Sequence, residues 1–576
     1  MKGAPRSKEF DDIYFSQEDG LAEAEFVFLK GNNLPDAWRG EDSFTIVETG
    51  FGTGLNFLAS WDLFEKTAES SQRLNFISFE QYPLSVEEIR DALAPWVDRF
   101  GAKIDRFLDV YPLRIPGVHS LCISENVFLT LIFDDVNDAL PKLSGHAVDA
   151  WFLDGFTPSK NPEMWTEAVF ESMARLSHDK TSFATFTAAG FVKRGLEDAG
   201  FDVSKSEGFR YKRELLVGRL PESNKKENSK TVRSVAIIGG GLAGCAMAYW
   251  LKKQGLVPTV FEAEAELASG ASGNKCGMLS PRLSKLRNVN SDFYMQSFAM
   301  AIRELGQISK THDIEFSSCG ALHLMHNENM KTRYPSMVEN WGWHSDHARI
   351  VDRAEASAIA GVEIEQAGLY LPDAAMANPA KLCHAYVDGI DVVYNAEIRD
   401  IQKDGTQWNV NGEAFDAVVL ANAMSVKLYA QTYELVDKFG LYPVRGQVSL
   451  APSTPFTEKL NTILNYRGYL SPAYNGVHAI GSTFDRTGTS YDLLQEDHDE
   501  VISHMEETVP CMKGQLVPND GRAGFRVSCK YRFPISERVA KNMYVSTAHG
   551  SHGLISSLQC AAIIHNHLCS GLRVYP

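Results

Sequence analysis

The sequence predicts an α/β protein built from two units in tandem. Two observations predict it. A short apolar strand runs into a glycine-rich turn and then a helix twice, at 44–64 and again at 235–253, and further strands that end on an acidic residue follow each turn. A polar stretch without apolar periodicity, 221–230, lies between the two units and is predicted to be a linker. We therefore expect one domain over residues 1–226 and a second over 232–576.

The composition is that of a folded globular protein, with 44% hydrophobic and 22% charged residues. A net charge of −17 argues against indiscriminate nucleic-acid binding but permits a local basic patch on an acidic body. No apolar run is long enough to span a bilayer, and the N-terminus has no signal-peptide pattern. The nine cysteines form no C-x-x-C pair. We expect a cytoplasmic monomer without a membrane segment or a metal site.

The first glycine turn follows the strand Phe44–Val47 and precedes the helix Leu55–Phe64. Its G-x-G-x-G spacing, preceded by an acid, suits a ligand without phosphate, because the backbone can curl round an amino-acid portion while the acid binds its ammonium group. The residues predicted to form this cradle are Glu48, Gly50, Gly52 and Gly54.

Two more strands of this unit also end on acids. Leu74–Phe79 ends on Glu80, placed to bind a ribose diol, and Leu129–Phe133 ends on Asp134 and Asp135, where a carboxylate can bind an adenine amino group. This order of strands and acids is the layout of S-adenosylmethionine sites in class I methyltransferases, which have a Rossmann-like fold. The alternative is a generic α/β domain with carboxylates at its strand ends.

A fourth strand, Val148–Leu153, leads into the loop Asp154–Pro162. Catalytic groups of open α/β sheets collect at the carboxyl ends of strands. The loop supplies a proton acceptor, Asp154, and an aromatic face, Phe156, and it resembles the acid-proline-aromatic loops that hold a base or amine in amino-group methyltransferases. The alternative is that Asp154 caps the next helix and Phe156 belongs to the core.

The second glycine turn carries the dinucleotide fingerprint of Rossmann folds. Strand Val235–Ile238, helix Leu242–Lys253 and strand Val257–Phe261 surround a G-x-G-x-x-G turn. The glycines allow a tight turn, approach of the backbone to a pyrophosphate and close packing of helix on strand, while the acid binds a ribose. The predicted residues are Gly239, Gly241, Gly244 and Glu262.

Three later features favour FAD over a nicotinamide cofactor. A small-residue loop at 268–278 suits a chain that passes close to an extended FAD; its predicted contacts are Ala271, Ser272, Gly273, Asn274 and Gly277. A late buried strand, Phe415–Leu420, ends in small residues, and Gly550 and Gly553 precede a helix at 554–565 whose N-terminus can stabilise a reduced flavin. Residues 280–400 are expected to build much of a substrate domain.

One arginine and two histidines remain close to these features in the sequence. Arg526, in the segment before the last glycine loop, is predicted to bind a substrate carboxylate; a surface or ion-paired arginine is the alternative. His549 and His552 have no visible third ligand, so structural or flavin-edge roles are favoured over a metal site.

Taken together, these segments resemble one family, the bifunctional enzymes that complete 5-methylaminomethyl-2-thiouridine at the wobble position of tRNA. The resemblance covers nearly the whole chain. Its segments are FDDIYFSQEDGLAEAEFVFLKGN at Phe10–Asn32, ETGFGTGLNFL at Glu48–Leu58, FISFEQYPL at Phe76–Leu84, DAWFLDGFTPSKNPEMW at Asp149–Trp165, ATFTAAGFVKRGLEDAGF at Ala184–Phe201, AIIGGGLAG at Ala236–Gly244 and GASGNKCGMLSPRLSK at Gly270–Lys285.

The resemblance implies two consecutive reactions on the wobble uridine in the anticodon loop. A C-terminal flavoprotein of the glycine-oxidase and D-amino-acid-oxidase kind, with an α+β substrate domain, would oxidise the carboxymethyl N–CH2 bond and leave a primary amine and glyoxylate. An N-terminal methyltransferase would then methylate that amine from S-adenosylmethionine. The competing reading is an FAD-dependent oxidase of small amino acids or amines whose N-terminal domain only senses S-adenosylmethionine.

Overall fold

The computed structural model describes residues 12–14, 19–210, 214–221 and 232–568. They divide into two compact units, the first holding the described residues up to Pro221 and the second Val232–Leu568. Apart from Pro221, the predicted linker lies outside the described residues, as do residues 10, 11 and 15–18 of the first resemblance segment.

The first unit is built on one eight-stranded sheet in the order β3-β4-β2-β1-β5-β6-β8-β7. Strands β4, β2, β1, β5 and β6 are parallel, while β3, β8 and β7 pair antiparallel at the two edges. The strands are β1 (Ser43–Glu48), β2 (Arg73–Phe79), β3 (Gly117–Cys122), β4 (Val127–Phe133), β5 (Val148–Leu153), β6 (Ser177–Thr185), β7 (Asp202–Glu207) and β8 (Glu214–Arg219). This sheet confirms the predicted α/β fold of the first unit.

Helices cover both faces of this sheet, which is why its central strands are apolar without alternation. Every residue of β5 is buried, and on β1 the neighbours Ile46 and Val47 join different hydrophobic clusters on opposite faces. The helices are α1 (Gly20–Ala24), α2 (Leu55–Thr67), α3 (Val86–Leu93), α4 (Val97–Asp109), α5 (Val136–Ala139), α6 (Glu167–Leu176) and α7 (Gly190–Asp198).

The sequence missed β3 and β7, the two edge strands. Most side chains of β7 are exposed, and Val203 is its only apolar residue, so no apolar pattern marks it as a strand; its pairing with β8 defines it instead. Edge position explains why β7 was missed, because an edge strand of this kind contributes little to the core.

The second unit contains a six-stranded sheet in the order β16-β10-β9-β20-β27-β26. All its pairings are parallel except β26 with β27. The strands are β9 (Ser234–Ile238), β10 (Val257–Phe261), β16 (Asp391–Val393), β20 (Ala417–Leu420), β26 (Ile535–Ala540) and β27 (Met543–Thr547). The late strand predicted before the small residues is therefore β20, beside β9.

A separate eight-stranded mixed sheet has the order β13-β14-β12-β22-β23-β24-β21-β25. Its strands are β12 (Ala321–Leu324), β13 (Arg349–Val351), β14 (Gly368–Leu371), β21 (Tyr442–Pro452), β22 (Ile463–Asn465), β23 (Tyr469–Leu470), β24 (Val477–Gly481) and β25 (Asp520–Ser528). Residues 280–400, expected to supply much of the substrate domain, supply only its first three strands. The other five come from 442–528, where the expectation was incomplete.

The remaining elements of the second unit connect these sheets. They are α8 (Leu242–Lys253), β11 (Gly277–Leu279), α9 (Val289–Ile308), α10 (Glu328–Trp341), α11 (Arg353–Ala360), β15 (Ala375–Ala377), α12 (Pro379–Tyr386), β17 (Ile401–Asp404), β18 (Gln407–Val410), β19 (Glu413–Phe415), α13 (Tyr433–Phe439), α14 (Gln495–Thr508) and α15 (Gly553–Leu568). Among the helices of the described ranges, none combines the length and the apolar character that crossing a membrane requires.

Two candidate active sites

The first site lies where the strand order of the first unit reverses, between β1 and β5. Ligands of open α/β sheets bind at the carboxyl ends of the strands at such a point. Glu48 ends β1 and Asp154 follows β5, and Asn56 of α2 joins them: its Nδ2 donates to Glu48 Oε1 at 2.8 Å and to Asp154 Oδ2 at 2.7 Å. The strand order thus brings together two acids that are far apart in sequence.

Glu48 is fully buried, and the geometry differs from the ammonium contact expected for it. Its Oε2 accepts from Ser78 Oγ at 2.6 Å and its Oε1 from Asn56, while the cavity of this site is lined by Asn56 and not by Glu48. Burial, followed by the negative charge of Asp154, raises the pKa of the Glu48 carboxyl well above its usual range. Asn56 therefore connects Glu48 with the cavity, and no local pattern in the sequence marked it as a site residue.

Both alternatives for the Asp154 loop disagree with the structure. The side chain that caps α6 is Thr166, and Asp154 Oδ1 instead accepts from the neighbouring Gly155 N–H at 2.8 Å. Phe156 is half-buried and lines the cavity rather than joining a hydrophobic cluster. Asp154 and Phe156 therefore both face the space where a ligand of this site would bind.

The N-terminal segment Asp12–Tyr14 contacts the loop that follows Asp154. Asp12 Oδ2 accepts from Thr157 N at 3.1 Å and from Thr157 Oγ1 at 2.9 Å, and Asp12 Oδ1 lies 3.3 Å from Lys160 Nζ. Burial would raise the pKa of Asp12, but these hydrogen bonds outweigh it and lower the pKa. Tyr14 packs edge-on against Phe156, with ring centroids 5.3 Å apart. Sequence reasoning missed this contact because it joins segments distant in the chain.

One cavity of about 600 Å³ connects the glycine turn with the Asp154 loop. Gly50, Gly52, Glu80, Asp134 and Asp135 line it together with Asp154 and Phe156, whereas Gly54 ends the turn and starts α2. Glu80 Oε2 accepts from Gly52 N–H at 2.9 Å, and burial raises its pKa. Asp135 Oδ1 caps α5, and Asp134 Oδ1 accepts from the Asp135 N–H at 3.0 Å.

These residues fit S-adenosylmethionine. The donor set at the strand ends is acidic, as a ribose diol and an ammonium group require, and the cavity is the size of a cofactor site. A Cβ on Gly50 would lie 3.1 Å from the Asp154 carbonyl oxygen, so the turn runs close to the loop that begins at Asp154. Gly50, Gly52, Glu80 and Asp134 are the residues that would hold the methyl donor.

The second site lies at the corresponding reversal in the second unit, between β9 and β20. A Cβ on Gly239 would lie 2.7 Å from the Ala421 carbonyl oxygen, and one on Gly244 would lie 1.8 Å from the Gly239 carbonyl oxygen, so both positions exclude any side chain. A Cβ on Gly241 would meet nothing closer than Ser272 Oγ at 3.2 Å. Close protein neighbours thus account for the absence of a side chain at Gly239 and Gly244. At Gly241, the approach of the FAD pyrophosphate would account for it.

The predicted ribose acid and small-residue loop border the same turn. Glu262 Oε2 accepts from Gly240 N–H at 2.6 Å, and Ser272 Oγ accepts from Leu242 N–H at 3.0 Å at the start of α8. A Cβ on Gly273 would lie 2.4 Å from Arg522 Nη2, and Ala271 lies against Gly524 of β25. Asn274 is half-buried in this loop. The loop therefore runs from the N-terminus of α8 to β25 of the eight-stranded mixed sheet, as an FAD site requires.

The loop then leads to the start of α15. Gly277 opens β11, where an added Cβ would lie 2.3 Å from Leu554 Cδ1 of α15. Gly550 has a φ of +57° and open space round its Cα, and Gly553 is the first residue of α15. The segments predicted to contact FAD thus converge on the N-termini of α8 and α15.

Arg526 projects from β25 into this region. Its Nη2 donates to the Thr483 carbonyl oxygen at 2.9 Å and to Ser482 Oγ at 3.2 Å. Among the described residues no carboxylate lies within ion-pair distance of it, so the ion-paired alternative disagrees with the structure. Burial lowers the pKa of the Arg526 guanidinium, and a bound carboxylate would offset that cost.

The two histidines differ in their contacts. His549 bonds Ser556 Oγ at 2.8 Å and Ser546 Oγ at 3.2 Å, which is a structural role. The ring of His552 lies 5.0 Å from that of Tyr294. Burial lowers the pKa of both to about 4, with the charges of Arg282 and Arg526 adding to the effect at His552. Within the described part of the chain, no group of three or more metal-ligating side chains occurs.

Known families match both units. Residues 99–221 match a family of S-adenosyl-L-methionine-dependent methyltransferases, and residues 234–566 match the FAD dependent oxidoreductases. Among solved structures, a glycine oxidase from Bacillus cereus covers 58% of this chain and 96% of its own length with a TM-score of 0.50 and 21% identity. An L-proline dehydrogenase from P. horikoshii matches 58% of this chain and 92% of its own with a TM-score of 0.50 and 16% identity. These structures support the fold of the second unit.

Relatives that match the chain end to end carry one name. The tRNA 5-methylaminomethyl-2-thiouridine biosynthesis bifunctional protein MnmC of Nitrosospira multiformis is 36% identical over 100% of this chain and 96% of its own length. The protein of the same name from Stutzerimonas stutzeri is 35% identical over 96% of this chain and 91% of its own. The chain belongs to the family of bifunctional tRNA 5-methylaminomethyl-2-thiouridine biosynthesis proteins.

Proposed function

We propose that this chain performs two consecutive steps on the wobble uridine of tRNA. The second unit removes the carboxymethyl group from 5-carboxymethylaminomethyl-(2-thio)uridine, and the first unit methylates the resulting amine to 5-methylaminomethyl-(2-thio)uridine. The observation that carries the proposal is that Asp154 and Phe156 line the same cavity as the acids of the methyl-donor site. In the other unit, Arg526 has no acidic partner among the residues that the structure describes.

In the oxidation, Arg526 binds the substrate carboxylate and fixes the adjacent N–CH2 bond. Bound FAD supplies the acceptor for the two electrons removed from that bond. This step converts the N–CH2 bond of the substrate into a carbon–nitrogen double bond. Water then adds across that double bond. Cleavage then leaves the primary amine on the base and releases glyoxylate, so the carboxyl group held by Arg526 leaves with the small product.

In the methylation, Asp154 orients the amine through a hydrogen bond and accepts the proton that the nitrogen must lose. S-Adenosylmethionine, held by the residues of the glycine turn, supplies the methyl group. Phe156 stacks on the modified base, and Tyr14 packs edge-on against the Phe156 ring. Asn56 fixes the direction of the Asp154 carboxylate.

Residues 1–226 and 232–576 are proposed as the methyltransferase and oxidoreductase domains. A tRNA-modifying enzyme works where tRNA is present, which supports a cytoplasmic location. Neither step as written requires a metal ion.

The test uses the full chain and tRNA that carries the carboxymethylaminomethyl group. Without S-adenosylmethionine we expect aminomethyl-uridine and glyoxylate in equal amounts, and with it methylaminomethyl-uridine. Oxidation of free glycine or N-methylglycine in place of tRNA, with no methyl transfer, would instead support a small-amine oxidase with a sensor domain.

A further inference from the structure

An exposed apolar surface borders the oxidase site. The segment 484–494, here called the aromatic loop, follows β24 and carries Phe484, Tyr491, Leu493 and Leu494, all exposed. Phe484 is 64% exposed and Tyr491 66% exposed. Large apolar side chains exposed together on one loop mark a binding surface more often than single ones do.

Phe484 lies directly on the proposed carboxylate-binding arginine. The Arg526 guanidinium carbon is 4.4 Å from the centre of the Phe484 ring, and Arg526 Nη2 donates to the carbonyl oxygen of the preceding residue, Thr483. This cation–π contact uses one face of the ring. The exposed remainder of the ring is available to a second flat group.

The backbone on both sides of Phe484 is held to β21. Thr483 N–H donates to the Gln447 carbonyl oxygen at 3.1 Å, and Asp485 exchanges two backbone hydrogen bonds with Arg445, at 2.7 and 2.9 Å. These bonds hold the ring in position over Arg526 before any ligand arrives. A fixed aromatic ring loses little conformational entropy when it binds.

The buried side chain of Arg445 secures the rest of the aromatic loop. It donates to the Ser490 carbonyl oxygen at 2.8 Å and to the Asp492 carbonyl oxygen at 2.6 Å, and it also bonds Asp497 of α14. Arg445 thus connects the aromatic loop to β21 and α14, which holds the shape of the loop.

The chemistry of the proposed substrate indicates which group would contact the Phe484 ring. In a carboxymethylaminomethyl-uridine the carboxylate is only a few bonds from the pyrimidine, so a carboxylate on Arg526 holds the base next to Phe484. Aromatic side chains stack on unpaired bases in RNA recognition. A free amino acid has no group that would cover this ring.

We propose that Phe484 and the Arg526 beneath it form a nucleobase subsite of the oxidase, which selects a pyrimidine-borne N-alkylglycine over a free one. The inference rests on the proposed function, because it assumes that Arg526 binds the substrate carboxylate. The base stacks on the open face of Phe484 while its substituent reaches past the ring edge to Arg526. Phe484 is thus a specificity-determining residue rather than a catalytic one.

The test follows anaerobic flavin bleaching in the full-length holoenzyme. The substrate is the nucleoside 5-carboxymethylaminomethyl-uridine, and N-methylglycine serves as a base-free competitor. We expect Phe484→Ala to weaken nucleoside binding about tenfold or more and to change inhibition by N-methylglycine less than about twofold. Phe484→Tyr should behave as wild type, and Phe484→Leu, which fills space without a ring, should behave as Phe484→Ala.

Tyr491→Ala is the matched control. Its ring is equally exposed on the same loop but packs against Phe525, 4.7 Å away, and not against Arg526. We expect a change of less than about twofold in nucleoside binding. Flavin content should be unchanged in all variants, which monitors folding.

The outcomes separate the two proposals. Parallel weakening of nucleoside and N-methylglycine by Phe484→Ala would mean that the ring only positions Arg526, and would overturn the subsite. Normal binding in Phe484→Ala, or in Phe484→Leu, would overturn it as well. A wild-type holoenzyme that is bleached neither by the nucleoside nor by tRNA carrying the carboxymethylaminomethyl group would overturn the proposed oxidation itself, and the subsite with it.

Discussion

The two units place their sites at the same topological position but fill it differently. Between β1 and β5, side chains meet: Asn56 bridges the carboxylates of Glu48 and Asp154. Between β9 and β20, backbone meets backbone, with Gly239 against the Ala421 carbonyl. Side chains thus occupy the first reversal, whereas closely packed backbone occupies the second.

This difference predicts different consequences of mutation. Substitutions at the reversal between β1 and β5 should lower the rate of methylation while S-adenosylmethionine still binds. Changes at the reversal between β9 and β20 should alter cofactor occupancy, and the loss of oxidation should follow from that. The variants below test this distinction.

The largest effect is expected for Asp154→Asn, which keeps the shape but removes the charge and the proton acceptor. We expect methylation of aminomethyl-tRNA to fall by roughly 10²–10⁴, with little change in S-adenosylmethionine affinity or flavin oxidation. Radiolabelled methyl transfer measures methylation, and flavin bleaching measures flavin oxidation. Asp138→Asn, at an exposed acid outside the cavity, is the control. Near-normal methylation would remove Asp154 from the reaction.

Gly241→Val should lower the fraction of the protein that carries FAD. Its side chain meets little protein but enters the space assigned to the pyrophosphate, so FAD affinity should fall about tenfold to a hundredfold while the fold is kept. Flavin absorbance per mole of purified protein, with circular dichroism for folding, measures both. Gly306→Ala in α9, where an added Cβ would have no heavy atom within 4 Å, should retain the flavin. A fully yellow Gly241→Val protein would contradict the placement of the phosphate turn.

Asn56→Ala removes both hydrogen bonds of the bridge. We expect kcat for methylation to fall about tenfold, with a small change in KM for S-adenosylmethionine, because Asn56 orients Asp154 rather than binding the donor. Steady-state methyl transfer measures both constants. Asn75→Ala on β2, outside the cavity lining, should leave them unchanged. A rise in KM alone would make Asn56 a donor-binding residue.

The smallest effect is expected for the pH dependence of stability in Glu48→Gln. Because the folded-state pKa of Glu48 is raised, the folded protein pays an increasing cost as pH rises from the usual glutamate pKa through the raised value. Glutamine carries no charge, so the variant should gain stability relative to wild type across that window and show no gain at lower pH. Urea unfolding at a series of pH values measures this. A gain that shrinks as pH rises would contradict it.

The sequence predicted those parts of the sites that depend on strand ends. Glu80, Asp134, Asp154 and the glycines follow apolar strands, and parallel strands bring their carboxyl ends to one edge of a sheet. Helix α8 and strand β10 have the bounds that were predicted.

The remaining parts depend on strand order and long-range contacts, which no local pattern encodes. Asn56 faces both acids only because β5 lies beside β1. Tyr14 reaches Phe156 from a distant segment, and Phe484 lies on Arg526 because β21 pairs with β25. The burial of Glu48 could not be predicted for the same reason: a strand-end acid is easily recognised, but its burial depends on the neighbours that cover it.

The most direct test of the account is nucleoside analysis of tRNA from cells that lack this chain and are supplied with one variant at a time. We predict carboxymethylaminomethyl-uridine in the empty strain and with Gly241→Val, aminomethyl-uridine with Asp154→Asn, and methylaminomethyl-uridine with wild type. The same nucleoside in the empty strain, Asp154→Asn and wild type would contradict the assignment of two ordered reactions to the two units.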